Sequence, residues 1–338
     1  MHFDKMMTAV DSHTEGMPTR VVTSGFGPIP GSTMFERREY VEHHLDHLRT
    51  FLMFEPRGHG SMSGAVLLPP TDPEADLGVV FIEVSGCLPM CGHGTIGTCT
   101  VAIETGLVPK VEPCTYLTLD TPAGRVRAEA TVRDGKVKSV MIRNVPAFLY
   151  RRDVDVEVPG HGRVTLDIAY GGNFYGILPA EAVGLRLDKG EAPALVDMGM
   201  RIMEAVAEQV RIEHPLNPGI DEIKHTMFTG PADVDGAHAK NTVVIYPGTL
   251  DRSPCGTGTS ARMAQLHARG QLGLNRPFVH ESIIGSLFTG TLVEEVDLTP
   301  ETRAVVPTIE GRAWITGFQH FVLDPEDPYP AGFLVGKE

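Results

Sequence analysis

Met90-Cys91-Gly92-His93-Gly94-Thr95 and Pro254-Cys255-Gly256-Thr257-Gly258-Thr259 repeat one phrase, Cys-Gly-X-Gly-Thr, 164 residues apart. Each opens a stretch of helical character. After the first, Ile96, Val101 and Ile103 punctuate a run of small residues that stops at Gly106 and Pro109. After the second, Ala261, Met263, Ala264 and Leu266 lead to Gly270. A thiol at a helix N-terminus meets unbonded backbone N–H groups and the positive end of the helix dipole, both of which favour a thiolate. Two such thiols in matching contexts point to an acid/base pair facing each other across a cleft. Cys91 and Cys255 are therefore the candidate catalytic residues.

The repetition extends outward from the cysteines. Tyr40, Val41, Leu45, Leu48 and Leu52 predict a helix over 36–52, ending at Glu55-Pro56. Leu195, Met198, Ile202, Met203, Val206 and Val210 predict another over 194–212, ending at His214-Pro215. His13-Thr14-Glu15-Gly16 leads into the strand-like Arg20-Val21-Val22, as Gly171-Gly172-Asn173 leads into Phe174 to Leu178. These pairs recur at offsets of roughly 158 to 164 residues, the mark of an old duplication. Strand-like runs follow each cysteine-headed helix: 116–119, 126–132 and 137–142 with an Asp134-Gly135 hairpin signal, then 282–288, 291–296 and 313–323. The expected fold is α+β, with two similar lobes of mainly antiparallel sheet around helices and the active site between them. The expected division is 1–150, carrying Cys91, and 151–338, carrying Cys255.

Composition limits the partners. The 338 residues are 42% hydrophobic and 21% charged, as in soluble globular proteins, and carry a formal net charge of −14. That charge argues against nucleic acid or an anionic membrane as partner. No apolar run approaches the ~20 residues needed to span a bilayer. Met1-His2-Phe3-Asp4-Lys5 does not read as a signal peptide, and five cysteines suit a reducing compartment. The expectation is a cytoplasmic protein with a small-molecule substrate, a homodimer remaining possible.

Two other chemistries compete for these motifs. Gly92-His93-Gly94-Thr95-Ile96-Gly97 formally matches the G-x-G-x-x-G dinucleotide fingerprint after the strand-like run 79–84. Gly256-Thr257-Gly258-Thr259-Ser260-Ala261 matches the looser G-x-G-x-x-A form. Neither copy continues into a clear βαβ unit with an acidic residue about 20 positions on, and the cysteine has no task in that reading. Cys87, Cys91 and His93 form a C-x3-C-x-H cluster, but no second ligand pair of the kind structural zinc sites use is evident. The expectation is no metal and no cofactor. Cys87, Cys99 and Cys114 read as small buried hydrophobes. Asp251 could close a turn, pair with Arg252, or receive a substrate ammonium beside the thiol; His93 stands similarly placed in the other half.

The same residues carry a resemblance. Met90-Cys91-Gly92-His93-Gly94 and the run from Asp251 to Ala261 are similar to the two signatures of the proline racemase family, which includes 4-hydroxyproline 2-epimerases and trans-3-hydroxyproline dehydratases. Asp11-Ser12-His13-Thr14, Glu55-Pro56-Arg57-Gly58-His59, Asn144-Val145-Pro146 and the segments 315–318 and 324–328 extend the likeness over nearly the whole chain. The resemblance implies the fold shared with diaminopimelate epimerase and a cofactor-free site in which Cys91 and Cys255 are the two bases. It implies that the amides of Gly92, His93, Gly256 and Thr257 hold the substrate carboxylate, and that Asp251 and His93 meet the ring nitrogen. Members that dehydrate 3-hydroxyproline usually lack one cysteine. Both are present here, so inversion at Cα is expected, of proline or 4-hydroxyproline with proline slightly ahead. Loss of turnover to leave an amino-acid binding protein is a further alternative. Phe174 or Tyr175 is expected in the pocket wall.

Overall fold

Asp134-Gly135 shows how directly this chain's turns follow from its residues. Both take positive φ (55° and 70°), which matches the twist of a two-residue hairpin and favours Asp and Gly. The computed structural model describes residues 3–335. By its contacts the chain forms two compact units, one running to Ile142 and resuming at Gly311, the other Arg143–Glu310. The sequence places the division near 150–151.

The first unit contains β1 (Lys5–Thr14), β2 (Met17–Ser24), α1 (Met34–His44), α2 (Asp46–Met53), β3 (Ser63–Leu68), β4 (Leu77–Glu83), β5 (Gly86–Leu88), α3 (Gly92–Glu104), β6 (Cys114–Thr121), β7 (Gly124–Arg133) and β8 (Lys136–Arg143). The C-terminal strand, Ala313–Leu323, pairs antiparallel with β1. β1 pairs antiparallel with β2, β2 parallel with β3, and β3 antiparallel with β4. β4 then pairs antiparallel with β5 and parallel with β6, which pairs antiparallel with β7. Met7, Val22, Met34, Val41, Phe51, Leu52, Val80 and Ile82 share the core under α1 and α2.

The second unit contains β9 (Phe148–Val158), β10 (Gly162–Tyr170), β11 (Phe174–Pro179), α4 (Ala192–Gln209), β12 (Ile223–Gly230), β13 (Ala239–Ile245), β14 (Thr249–Leu250), α5 (Gly256–Ala268), β15 (Pro277–Glu281), β16 (Leu287–Thr299) and β17 (Thr302–Gly311). Its pairing repeats the first unit step for step. β10 is antiparallel to β11, β11 parallel to β12, β12 antiparallel to β13, β13 antiparallel to β14 and parallel to β15, and β15 antiparallel to β16. β9 lies against β10 as the C-terminal strand lies against β1. The duplication is thus visible in topology, and each cysteine-headed helix occupies the same step.

Three local readings differ. The helix expected over 36–52 is two, because Leu45 leaves helical geometry (φ −123°, ψ 14°) and Asp46 starts α2 paired with Arg49 at 2.6 Å. The strand expected from Ser282 starts only at Leu287. Ser282 Oγ accepts the amides of Ile284 and Ser286 and holds 282–286 in a turn. The hairpin of β9 and β10 lies where the sequence shows mostly charge, since Arg151, Arg152, Asp153, Asp155 and Glu157 are exposed along β9. Among the described residues no helix is long and apolar enough to cross a membrane.

Candidate active site

Each Cys-Gly-X-Gly-Thr segment builds a helix start around a sulfur atom. Cys91 is the N-cap of α3, with extended backbone, and its Sγ accepts the Gly94 amide at 3.3 Å. Sulfur here does what a serine or aspartate oxygen does at an ordinary N-cap. A Cβ on Gly94 would fall 2.9 Å from that sulfur, so glycine is required for the thiol to lie over the helix end. Thr95 closes the turn, its amide and hydroxyl both donating to the Cys91 carbonyl (2.9 and 2.8 Å). Gly97, which completes the formal dinucleotide fingerprint, is explained by packing: a Cβ there would meet Thr19 of β2 at 3.0 Å.

Cys255 is the N-cap of α5, and a Cβ on Gly258 would again lie 2.9 Å from its sulfur, but here no amide closes a cap on the side chain. The Thr259 amide donates to the Cys255 carbonyl at 2.7 Å, while its hydroxyl donates to Pro254. The backbone differs too. Cys255 has φ +63° and ψ 105°, a backbone conformation costly for a residue with a Cβ and one that clusters at functional sites. Both cysteines are buried, as are Gly92, His93, Gly256, Thr257 and Asp251.

In the first unit, His93 places Nδ1 3.4 Å and Nε2 3.7 Å from Cys91 Sγ. Nε2 is also 2.7 Å from Ser63 Oγ, which donates its only proton to the Pro18 carbonyl at 2.7 Å. Ser63 can therefore only accept from the ring. Nε2 thus carries a proton, and Nδ1 is the nitrogen nearer the thiol. Thr14 Oγ1 donates to the His93 carbonyl at 2.9 Å and fixes the segment from the other side. Glu83, buried at the end of β4, completes a group with Cys91 and His93 whose ligand atoms lie within 4.8 Å of one another. These three offer oxygen, sulfur and nitrogen donors that could hold a metal ion. Cys87, the other cysteine of the sequence cluster, belongs instead to the unit's apolar core, where burial pushes its thiol up to about 12. Burial does the same to Cys99, within α3.

In the second unit, Asp251 neither pairs with Arg252 nor lies exposed. Its Oδ1 accepts the Ser253 amide and hydroxyl, both at 2.8 Å, and Ser253 Oγ accepts the Cys255 amide at 3.1 Å. Burial first, then the Asp251 charge, push the Cys255 thiol well above its ordinary value; the Tyr175 hydroxyl and the Gly258 amide pull the other way. Cys255 therefore rests protonated at neutral pH. Tyr175 reaches it from β11, its hydroxyl 3.4 Å from Sγ and 2.6 Å from Thr257 Oγ1. Phe174 instead stacks into an aromatic cluster with Phe148, Tyr150 and Tyr170 at ring separations of 5.0 to 6.4 Å. Ser63 and Glu83 carry no sequence signal of their own, and only the strands that bring them to Cys91 reveal them. Ser253 lies within the second signature, but its bonds to Asp251 and Cys255 are seen only in the fold.

The first-turn amides Gly92 and His93 in α3, and Gly256 and Thr257 in α5, have no carbonyl four residues back within their helices. Each unit thus presents a thiol beside a pair of oriented N–H groups, equipment suited to proton transfer next to an anion.

Known proteins resemble this chain over nearly its whole length. The family model described as proline racemase matches residues 9–334. A 4-hydroxyproline 2-epimerase of Streptosporangium roseum is 58% identical over 335 residues, covering 99% of this chain and all of that protein. A proline racemase of Clostridioides difficile is 47% identical, with the same coverage. Among solved structures, a hydroxyproline epimerase from Agrobacterium vitis with bound trans-4-hydroxy-L-proline superposes with a TM-score of 0.94 at 35% identity, covering 99% of this chain and 97% of that one. A Bacillus anthracis phenazine biosynthesis protein of the PhzF family shares the fold at a TM-score of 0.60, covering 94% of this chain and 99% of that one, with 13% identity. By sequence across nearly all its length and by fold, this chain belongs to the proline racemase family.

Proposed function

We propose that this protein inverts the Cα of a pyrrolidine-2-carboxylate without a cofactor, with Cys91 and Cys255 as its two bases. The observation that carries the reading is the pair of buried cysteines at helix N-caps, each with its sulfur over a glycine three residues on, where a Cβ would approach it to 2.9 Å. One thiolate removes the Cα proton from one face. The electron pair left behind spreads into the carboxylate as an enediolate, and the other thiol returns a proton to the opposite face. The first-turn amides of Gly92, His93, Gly256 and Thr257 stabilise the charge that develops, because their dipoles are already oriented. Asp251 and His93 meet the ring nitrogen. Cys255, which rests protonated, enters as the acid. Cys91 enters as the base, beside His93 Nδ1 at 3.4 Å.

The relatives weigh trans-4-hydroxyproline ahead of proline as substrate. The 58% identical relative is named as a 4-hydroxyproline 2-epimerase, and the superposed Agrobacterium vitis enzyme holds trans-4-hydroxy-L-proline. Proline is the second reading, on the 47% identical proline racemase. Two buried cysteines outside any disulfide suit a reducing compartment such as the cytoplasm.

Deuterium wash-in at Cα and polarimetry test the reading, using trans-4-hydroxy-L-proline, L-proline and trans-3-hydroxy-L-proline in parallel. Inversion of the first two is expected, with kcat/KM higher for the hydroxylated ring, and it should survive dialysis against a chelator. Cys91→Ser and Cys255→Ser should each lower kcat by about a thousandfold, since a hydroxyl is a poor base at neutral pH. Near-normal inversion by either variant, or elimination of water from the third compound as the main reaction, overturns it.

A further inference from the structure

A base that must also be an acid needs surroundings that accept both of its protonation states. Around Cys91 a titratable imidazole stands at 3.4 Å. Around Cys255 the corresponding neighbour is the phenol of Tyr175, which is fully buried and whose hydroxyl lies between two partners: Cys255 Sγ at 3.4 Å and Thr257 Oγ1 at 2.6 Å. Thr257 Oγ1 is 4.0 Å from the same sulfur and takes a donor from Asn173 Nδ2 at 3.4 Å. Sulfur, phenol and threonine hydroxyl therefore form a short chain in which every link can be donated in either direction.

We propose that Tyr175 is a positioning residue that lets Cys255 serve as both acid and base, by reversing the direction of this hydroxyl chain. With Cys255 as thiol, S–H donates to the phenol oxygen and the phenol O–H donates to Thr257 Oγ1. With Cys255 as thiolate, both rotors turn: Thr257 O–H donates to the phenol oxygen, and the phenol O–H donates to sulfur. No proton leaves either hydroxyl, so the only proton exchanged is the one that Cys255 gives to or takes from substrate. In the thiol state the Thr257 O–H turns to the sulfur lone pair at 4.0 Å, so every donor among the three groups keeps an acceptor in either state, and the thiol is not fixed in one form.

The surroundings keep the phenol itself from titrating. Burial, with the Cys255 charge next, holds Tyr175 well above its ordinary value. His225 of β12 lies against its ring at 4.8 Å and is held neutral by burial, its value lowered to about 3. The groups facing the sulfur are thus Asp251 from the loop before α5, Tyr175 from β11 and Thr257 from α5, with His225 behind the phenol. The Asp251 charge favours the thiol, so the phenol O–H is what offsets it when the thiolate must form.

This inference rests on the two-thiol reading, and its test is read in the resting protein so that the two fail separately. The rate of iodoacetamide labelling at Cys255 is followed against pH by peptide mass spectrometry, with Cys91 in the same digest as internal reference. Tyr175→Phe removes the donor to the thiolate and should move the Cys255 profile upward by about one pH unit or more, the worth of a hydrogen bond to a charged group. Its kcat should fall at least tenfold with KM within threefold, the Cys91 profile staying in place. Thr257→Val removes the acceptor that the phenol needs in the thiol form. The phenol proton then turns to sulfur, and the Cys255 profile should move downward. Opposite shifts are not produced by a role in packing alone. A Tyr175→Phe profile that superimposes on the parent overturns the proposal, whatever happens to thermal stability. Should that variant fail to fold, an unchanged or upward-moving profile in Thr257→Val overturns it. Near-normal turnover by Cys255→Ser would instead remove the two-thiol reading and leave the Tyr175 result to be judged alone.

Discussion

Gly94 donates its amide to Cys91 Sγ at 3.3 Å, and the space its missing side chain leaves is the space the sulfur fills: a Cβ there would sit 2.9 Å from Sγ. A Cβ on Gly258 would likewise sit 2.9 Å from Cys255 Sγ. Glycine inside a helix costs about 1 kcal/mol relative to alanine, so two at matching positions need a reason beyond the helix. The reason is the thiol.

Gly94→Ala and Gly258→Ala therefore separate stability from activity. The added methyl drives the sulfur off the helix end, and kcat should fall at least tenfold in each. The unfolding midpoint should hold or rise, because alanine favours the helix and the nearest atoms it meets, Cys91 Sγ for Gly94 and Met227 Cε (2.7 Å) and Cys255 Sγ for Gly258, end side chains that can turn. Circular dichroism melts beside kcat measurements check this. A variant with parental kcat would show that the sulfur does not work from the position it caps.

The same two segments explain how much the sequence discloses. A glycine three residues after a cysteine, a threonine next, and an apolar periodicity beyond are all local, so the helix starts, the hairpin at Asp134-Gly135 and the duplicated layout are legible. Contacts made across the sheet are not. Ser63 reaches His93 over 30 residues, and Tyr175 reaches Thr257 over 82. Nothing near Ser63 or Tyr175 announces those partners, which strand register alone supplies. β9 escapes notice for a different reason. Its charged residues face solvent in number, and alternation between charge and partly buried Val or Leu is weak signal beside a run such as 79–84.

Arg20 offers a test of the first unit's stability. It is buried on β2, bonds Asp11 through two nitrogens at 2.9 and 3.0 Å, and donates to the carbonyls of Leu52 (2.5 Å) and Arg57 (2.7 Å). Arg20→Met leaves a largely buried carboxylate and two carbonyls without a donor. Removing one partner of such a pair costs about 3–5 kcal/mol. Urea denaturation should show that loss, and the double variant Arg20→Met/Asp11→Leu should recover part of it. A single-variant loss below about 1 kcal/mol would mean that water replaces the guanidinium readily.

His280 predicts the acid limb of stability. It is fully buried on β15, and its two nitrogens have fixed and opposite tasks. Thr259 Oγ1 already donates to the Pro254 carbonyl, so at 2.9 Å it accepts from His280 Nδ1–H. Asn241 Nδ2, held as a donor by Pro254 O at 3.0 Å, donates to Nε2 at the same distance. Protonating Nε2 would set donor against donor in a dry site, and burial lowers the ring's value from 6.5 to about 3. The folded protein thus binds this proton less readily than the unfolded chain. The stability that neutral His280 contributes is complete above about pH 6.5 and is lost as pH falls toward 3. His225, also lowered to about 3, and His214, lowered to about 4, add to the same slope. Melting midpoints from pH 7 to pH 4 should therefore fall steeply in the parent and less steeply in His280→Gln, whose baseline at pH 7 will itself be lower. Parallel slopes for the two proteins would mean that the imidazole is hydrated, or protonated, within the folded state.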